Sequence, residues 1–318
     1  MTNGNEIFNW PRYWYPNDQN DFYIFSQFGY LNLPTKELYP YYSFVPSKLS
    51  DLSDIPVLIL LGDPGTGKSQ SLADEQNRLG TNNNNEIIYC DLKEYGNGDQ
   101  QELAELLNQE KLSELKEGIK LWLLIDGLDE CGLPDPSNWL IRNFINKITT
   151  LDRVYVRIAC RVSSWPEKLE EALHRQWQSK DDSLVKKLRL CPLREEDLRI
   201  AAQTMGLDAN GFLQVVAQGD AQQLAALPVT ANFMLNLYSK GQLPSQRTDI
   251  FEKGLRSICE DSPARRNTKL KGQVCSDKRF IVAARLSLGY ILLGSNGIWN
   301  GPEFECPSNL FLTRDIYG

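Results

Sequence analysis

Hydrophobic and polar positions follow two regimes along these 318 residues. From about residue 51 to 190, short apolar runs alternate with polar stretches of helical length. That pattern belongs to βαβ units around a parallel sheet. The runs at 57–61, 86–91, 121–126, 154–160 and 188–191 predict strands. Helices are predicted at 70–79, 101–116, 138–149 and 165–178. In the second of these, Leu103, Leu106, Leu107, Leu112 and Leu115 face the core. Beyond Pro192 strand signals stop. Helical periodicity returns at 194–205, 208–218, 229–239, 247–260 and 278–293, punctuated by Pro228, Pro244 and Pro263. Residues from 300 onward predict no clear element, and there is no internal repeat.

The first 50 residues are different. They are crowded with aromatic rings, among them Phe8, Trp10, Trp14, Tyr15, Phe25 and Tyr30, and interrupted by Pro and Asn. Loops and short strands are expected. The rings pack as a strap against the domain that follows or form a stacking platform, and part of the strap touches a ligand's base. The expected partition is a strap at 1–50, an α/β domain at 51–191 and a helical domain at 192–318.

Composition changes this picture little. Hydrophobic content of 42% and charged content of 24% are ordinary for a globular protein. A net charge of −7 gives no support to a nucleic-acid partner. The N-terminus lacks the basic and apolar regions of a signal peptide, and the apolar runs are strand-length, so no membrane span is expected. Seven scattered cysteines, no CxxC pair and a single histidine, His174, argue against zinc. The odd cysteine count fits a reducing cytoplasm. His174 reads as a surface or packing residue.

Chemistry concentrates in two stretches. After the first strand comes Gly62-Asp63-Pro64-Gly65-Thr66-Gly67-Lys68-Ser69, with Gln70 opening the next helix. This matches G-x-x-x-x-G-K-[ST] in its required strand–turn–helix context. Glycines let backbone N–H groups turn toward phosphate oxygens, and the helix N-terminus adds positive charge. Lys68 reaches the β- and γ-phosphates, and Ser69 ligates Mg²⁺. The alternative is a chance Gly-rich βα turn. The second stretch, Leu121 to Glu130, ends an apolar strand in Asp126, with Asp129 and Glu130 just beyond. Asp126 suits a metal ligand, and Glu130 or Asp129 suits the base that orients or deprotonates water. The plainer reading is a helix N-terminus with capping acids. A further strand runs into Arg161, which either senses a γ-phosphate or pairs with the acidic helix that follows.

Together the phosphate loop, Leu123-Leu-Ile-Asp-Gly-Leu-Asp-Glu130 and the strand ending at Arg161 resemble the NACHT family of STAND-class P-loop NTPases. Cys191-Pro-Leu-Arg-Glu-Glu-Asp-Leu resembles the family's entry to its lid. Leu227-Pro228 resembles the lid proline that approaches the nucleotide. The resemblance covers about residues 50–265 and is closest to bacterial NACHT proteins, many of which look like anti-phage sensors. It implies an α/β P-loop NTPase with an ASCE-type parallel sheet of order 5-1-4-3-2, followed by a helical lid. It implies ATP or ADP with Mg²⁺, an ADP-bound resting state and a self-oligomer in the ATP state. Pro228 is then a nucleotide contact. Relatives carry a C-terminal sensor and often an effector, and neither is recognisable here. The implied function is an ATP-hydrolysing switch in antiviral signalling. The alternative is a nucleotide-locked assembly scaffold with negligible turnover. A AAA-type remodelling motor is disfavoured by the Asp-Gly-x-Asp-Glu form.

Overall fold

The computed structural model describes residues 8–18, 24–35, 37–38, 44–96, 98–107, 118–148, 151–177, 184–259, 276–293, 297–299 and 310–312. The chain divides into two compact units, residues 1–214 with 221–232, and residues 215–220 with 233–318.

The first unit is built on an α/β sheet. Its strands are β1 (Trp14–Pro16), β2 (Val57–Leu61), β3 (Asn85–Asp91), β4 (Lys120–Asp126), β5 (Val154–Cys160) and β6 (Val185–Leu190), in the spatial order β1-β6-β2-β5-β4-β3. The expected five-stranded parallel sheet of order 5-1-4-3-2 is therefore corrected to a mixed sheet of six. The added member is β1, which pairs antiparallel with β6 through Trp14↔Leu190, Tyr15↔Arg189 and Pro16↔Leu188. An uncovered β6 edge would leave a row of N–H and C=O groups without partners, and the strap supplies them. Cys191 N donates to Tyr13 O and Asn17 N to Lys187 O on that edge. Strand β6 also begins earlier than expected, because its apolar run is broken by charge. Val185, Leu188 and Leu190 are buried while Lys186, Lys187 and Arg189 are half-buried. Leu188 and Leu190 pack on one face and Val185 on the other, so the apolar positions do not form a continuous run.

Strands β2, β4 and β5 are buried on both faces, as parallel strands between helical layers must be. On one face Leu58, Leu60, Trp122, Leu124 and Ala159 pack with Leu72 and Leu79 of α1 (Lys68–Gly80) and with Trp14. On the other, Val57, Ile59, Leu123, Ile125 and Ile158 pack with residues of α2 (Gln100–Leu106), α3 (Pro136–Asn143) and α4 (Glu167–Gln176). Leu103 and Leu107 are buried there as expected; Leu112 and Leu115 lie outside the described residues. Helix α3 opens on an Asp135 cap that accepts from Asn138 N at 3.0 Å, with Pro136 in its first turn. It ends at Asn143, short of the expected 149, and passes into a 3-10 turn at Ile145–Lys147.

Strand β5 carries an arginine in its middle. Arg157 is fully buried, and its Nη1 donates to the carbonyls of Ile55 at 2.9 Å, Val156 at 3.0 Å and Pro56 at 3.2 Å. Its guanidinium lies 4.9 Å from the centre of the Trp122 ring, which stacks on Tyr155. Burial pulls its pKa down to about 9.

After β6 the first unit continues with α5 (Glu195–Thr204), the start of α6 (Ala209–Gln218), a short α7 (Gln222–Ala225) that the sequence pattern did not predict, and the start of α8 (Pro228–Ser239). Arg194 N donates to Asp197 at 3.0 Å to cap α5. In the second unit α9 (Arg247–Cys259) and α10 (Ser276–Leu293) are joined by Arg256, which pairs with Asp277 at 3.2 Å and covers the Phe280 ring at 4.2 Å. A two-stranded parallel pair, β7 (Gly297–Trp299) and β8 (Leu310–Leu312), completes the described residues. No described helix is long and apolar enough to cross a membrane.

Candidate functional site

The loop between β2 and α1 is shaped by its glycines. Gly65 and Gly67 have φ of 75° and 97°, conformations that cost an L-residue about 1–2 kcal/mol. At Gly62 the difficulty is space: a Cβ would lie 2.9 Å from Thr66 Oγ1 and 3.3 Å from Leu190 Cβ and Lys68 Cγ. Thr66 is buried and its hydroxyl donates to Asp63 O at 2.7 Å, closing the turn. Lys68 lies along the loop, donating through Nζ to Gly62 O at 2.6 Å and to Asp63 O at 3.1 Å. Burial lowers its pKa, against the raising effect of Asp129 and Asp126. Gly67→Ala is expected to lower unfolding stability by about 1–2 kcal/mol from backbone strain alone, since the nearest atoms to its Cβ would be 3.8 Å away. A urea midpoint equal to the parent's would contradict this.

The carboxyl ends of β3, β4 and β5 face the same space. Asp126 ends β4, is buried, and accepts from the Tyr89 hydroxyl at 3.3 Å. Among the described residues no ion pair involves Asp126. Gly127, at φ 70°, turns the chain so that Asp129 and Glu130 follow at once. Asp129 is held on both oxygens by Arg161, whose backbone N donates to Oδ1 at 3.1 Å and whose Nε lies 2.7 Å from Oδ2. The Arg161 Nη2 donates to Glu130 Oε1 at 3.1 Å. Glu130 is about half exposed, whereas Asp129 is 6% exposed. Arg161 therefore pairs with these acids, not with the helix that follows it.

These groups line one cavity of about 360 Å³. Of the residues expected from sequence, Pro64, Gly65, Gly67, Lys68, Ser69 and Gln70 line it from the loop. Asp126, Asp129, Glu130, Arg161 and Pro228 line it from elsewhere in the first unit. Gly62, Asp63 and Thr66 do not line it. They build the turn, and Asp63 pairs with Arg189 at 3.3 Å. Gln70 faces the cavity while its side chain also donates to Asp74 at 2.9 Å.

Sequence reasoning missed several members. Asp91 ends β3 in register with Asp126 and pairs with Lys93 at 2.5 Å. A second apolar run ending in an acid was a usable signal. Arg12 of the strap and Val229 and Asn232 of α8 also line the cavity, beside Phe8 and Trp10, rings of the strap of which part was expected to touch a base. The Trp10 indole donates to Asn232 Oδ1 at 3.1 Å, and Phe8 meets Trp10 edge-on at 4.8 Å. Nothing local in the sequence marks Arg12, Val229 or Asn232.

The donor set fits a phosphorylated ligand with a divalent cation. Lysine, arginine and loop N–H groups suit phosphate oxygens. The buried Asp126 carboxylate and the Ser69 hydroxyl are hard oxygen ligands facing the same space. The aromatic and aliphatic wall of Phe8, Trp10, Pro228 and Val229 suits a flat ring.

No family model matches this chain, and no curated protein matches it. Solved structures are similar to it at a distance. Cdc6p from Pyrobaculum aerophilum has 16% identity and a TM-score of 0.40, covering 77% of this chain and 72% of that one. A point mutant of RuvB from Thermotoga maritima has 17% identity and a TM-score of 0.35, covering 76% of this chain and 72% of that one.

Proposed function

We propose that this chain is an ATP-binding and ATP-hydrolysing switch that works with Mg²⁺. The observation that carries this is the convergence on one cavity of Pro64, Gly65, Gly67, Lys68 and Ser69 from the phosphate loop with the acids Asp91, Asp126, Asp129 and Glu130. In this reading Lys68 and the loop N–H groups bind and orient the phosphates. Ser69 and Asp126 hold the cation, which supplies neutralisation of phosphate charge. Glu130 accepts a proton from the attacking water, and Asp129 holds Arg161 in place beside it. The strap rings and Pro228 cover the base. In line with the resemblance to NACHT proteins, we assign the switch to bacterial antiviral signalling in the cytoplasm. The helical segment from residue 192 acts as its lid, and assembly occurs in the ATP state.

One observation favours the second reading, a nucleotide-locked scaffold with negligible turnover. Arg161 already engages both candidate bases, which leaves only one Glu130 oxygen for water and holds the guanidinium on the acids.

The test of the site is Lys68→Ala. Losing one charge-assisted contact to phosphate is worth roughly 1.5–3 kcal/mol, or about 10- to 150-fold in affinity. Isothermal titration with Mg-ATP measures it. A Lys68→Ala chain that binds ATP as the parent does would end the nucleotide reading.

A further inference from the structure

Arg12 stands apart from the strap's other polar residues. It sits two residues before β1 and lines the cavity beside the phosphate loop. One of its nitrogens, Nη2, donates to the Cys191 carbonyl. The other two, Nε and Nη1, are sealed from solvent and have no hydrogen-bond partner. Nε lies 3.8 Å from where a Cβ on Gly67 would be, on the side of the loop that Pro228 also approaches at 3.8 Å. Among the described residues no carboxylate forms an ion pair with Arg12. Burial pulls its pKa down to about 10, with only partial compensation from Cys191 and Asp197.

A buried guanidinium with two idle donors is costly unless a partner arrives. Arg12 lines the same cavity as Gly65, Gly67, Lys68 and Ser69 of the phosphate loop. An anion there would receive a planar fork from Arg12, geometry that suits phosphate oxygens. The side of approach matters. Arg161 stands at the β4–β5 end with Asp129 and Glu130, where the terminal phosphate belongs in the reading above. Arg12 stands at Gly67, next to the ring-lined wall of Trp10 and Pro228.

We propose that Arg12 is a ligand of the α- or β-phosphate of a bound nucleotide, supplied by the N-terminal strap through its Nε and Nη1 donors. The proposal rests on the reading of this cavity as a nucleotide site. Because Nη2 of the same guanidinium holds Cys191, just past β6, one side chain ties strap, sheet edge and ligand together. Nucleotide of either kind then fastens the strap to the sheet edge.

The experiment compares the parent chain with Arg12→Ala, Arg12→Lys and Lys68→Ala. Mg-ADP and Mg-ATP are titrated calorimetrically, and each chain is melted with and without nucleotide. Arg12→Ala is expected to weaken ADP and ATP alike, by about 10- to 100-fold, with the ATP/ADP preference unchanged. Its ligand-free melting temperature should equal or exceed the parent's, since an unpaired buried charge is gone. Arg12→Lys should recover part of the affinity, keeping charge but not the fork. Parent-like affinity in Arg12→Ala overturns the proposal. So does a ligand-free melting temperature that falls as far as the ligand-bound one, which marks a structural clamp. A loss confined to ATP moves Arg12 to the terminal phosphate and equally refutes the assignment. If Arg12→Ala does not fold, Arg12→Lys decides: parent-like affinity for both nucleotides refutes it. If the parent binds neither nucleotide, the reading of the cavity fails. If Lys68→Ala loses binding while the Arg12 variants do not, this proposal alone fails.

Discussion

Glu130→Gln is expected to slow ATP hydrolysis by about 10²- to 10⁴-fold while ATP stays bound, the range that loss of a general base produces. Glu130 is chosen over Asp129 on geometry. Both Asp129 oxygens are engaged by Arg161, one by the backbone N–H and one by Nε, and the side chain is almost wholly buried. Glu130 has one oxygen bonded to Arg161, and the side chain is 48% exposed, so it retains a free oxygen that can reach water. The amide keeps shape and volume but cannot take a proton. Asp129→Asn should act differently: it weakens the hold on Arg161, so turnover falls without removing the base. Single-turnover hydrolysis and extraction of nucleotide after gel filtration separate the two effects. Parent rates in both variants would remove both acids from the chemistry and favour the scaffold.

Arg157→Ala is expected to lower unfolding stability by about 3–5 kcal/mol, from a lost large side chain and from the Ile55 carbonyl losing its donor, while Leu52 and Pro56 keep the backbone donors Ile55 N and Val156 N. The carbonyls of Leu52, Ile55, Pro56 and Val156 all receive from this guanidinium. Leu52 to Pro56 is the segment that feeds β2, so Arg157 fixes the entry of the strand that carries the phosphate loop. Arg157→Met should recover part of the loss, because it fills volume beside Trp122 without a buried charge, yet does not replace the donor to Ile55 O. Urea unfolding followed by tryptophan fluorescence checks both. A loss under about 1 kcal/mol in Arg157→Ala would show that the segment holds without the arginine.

The two sites differ in how much of them could be read along the chain. The phosphate loop is local. Its strand is a five-residue apolar run, its glycines stand where φ must be positive or a Cβ has no room, and its helix follows directly. Asp126 is legible for the same reason: a buried strand that ends in a carboxylate presents it at the sheet edge. Short-range sterics and the period of two determine such features whatever the rest of the chain does.

Other features depend on partners far away in sequence. Arg157 interrupts no pattern that a reader of β5 would notice, since only the packed carbonyls of residues 52–56 explain why a charge is tolerated there. Arg161 read first as a γ-phosphate sensor and second as a partner of the next helix, and the neighbouring strand end brings Asp129 and Glu130 to it instead. The sixth strand exists because β6 would otherwise end the sheet with unpaired backbone, and residues more than 170 positions away satisfy it. That pairing also carries Arg12 and Trp10 to the phosphate loop. Sequence alone determined the loop, the acid at the strand end and the alternation of strand and helix, because these follow from local backbone sterics and apolar period. Only the tertiary structure decided which charges share the cavity, because long-range backbone pairing and burial place them there.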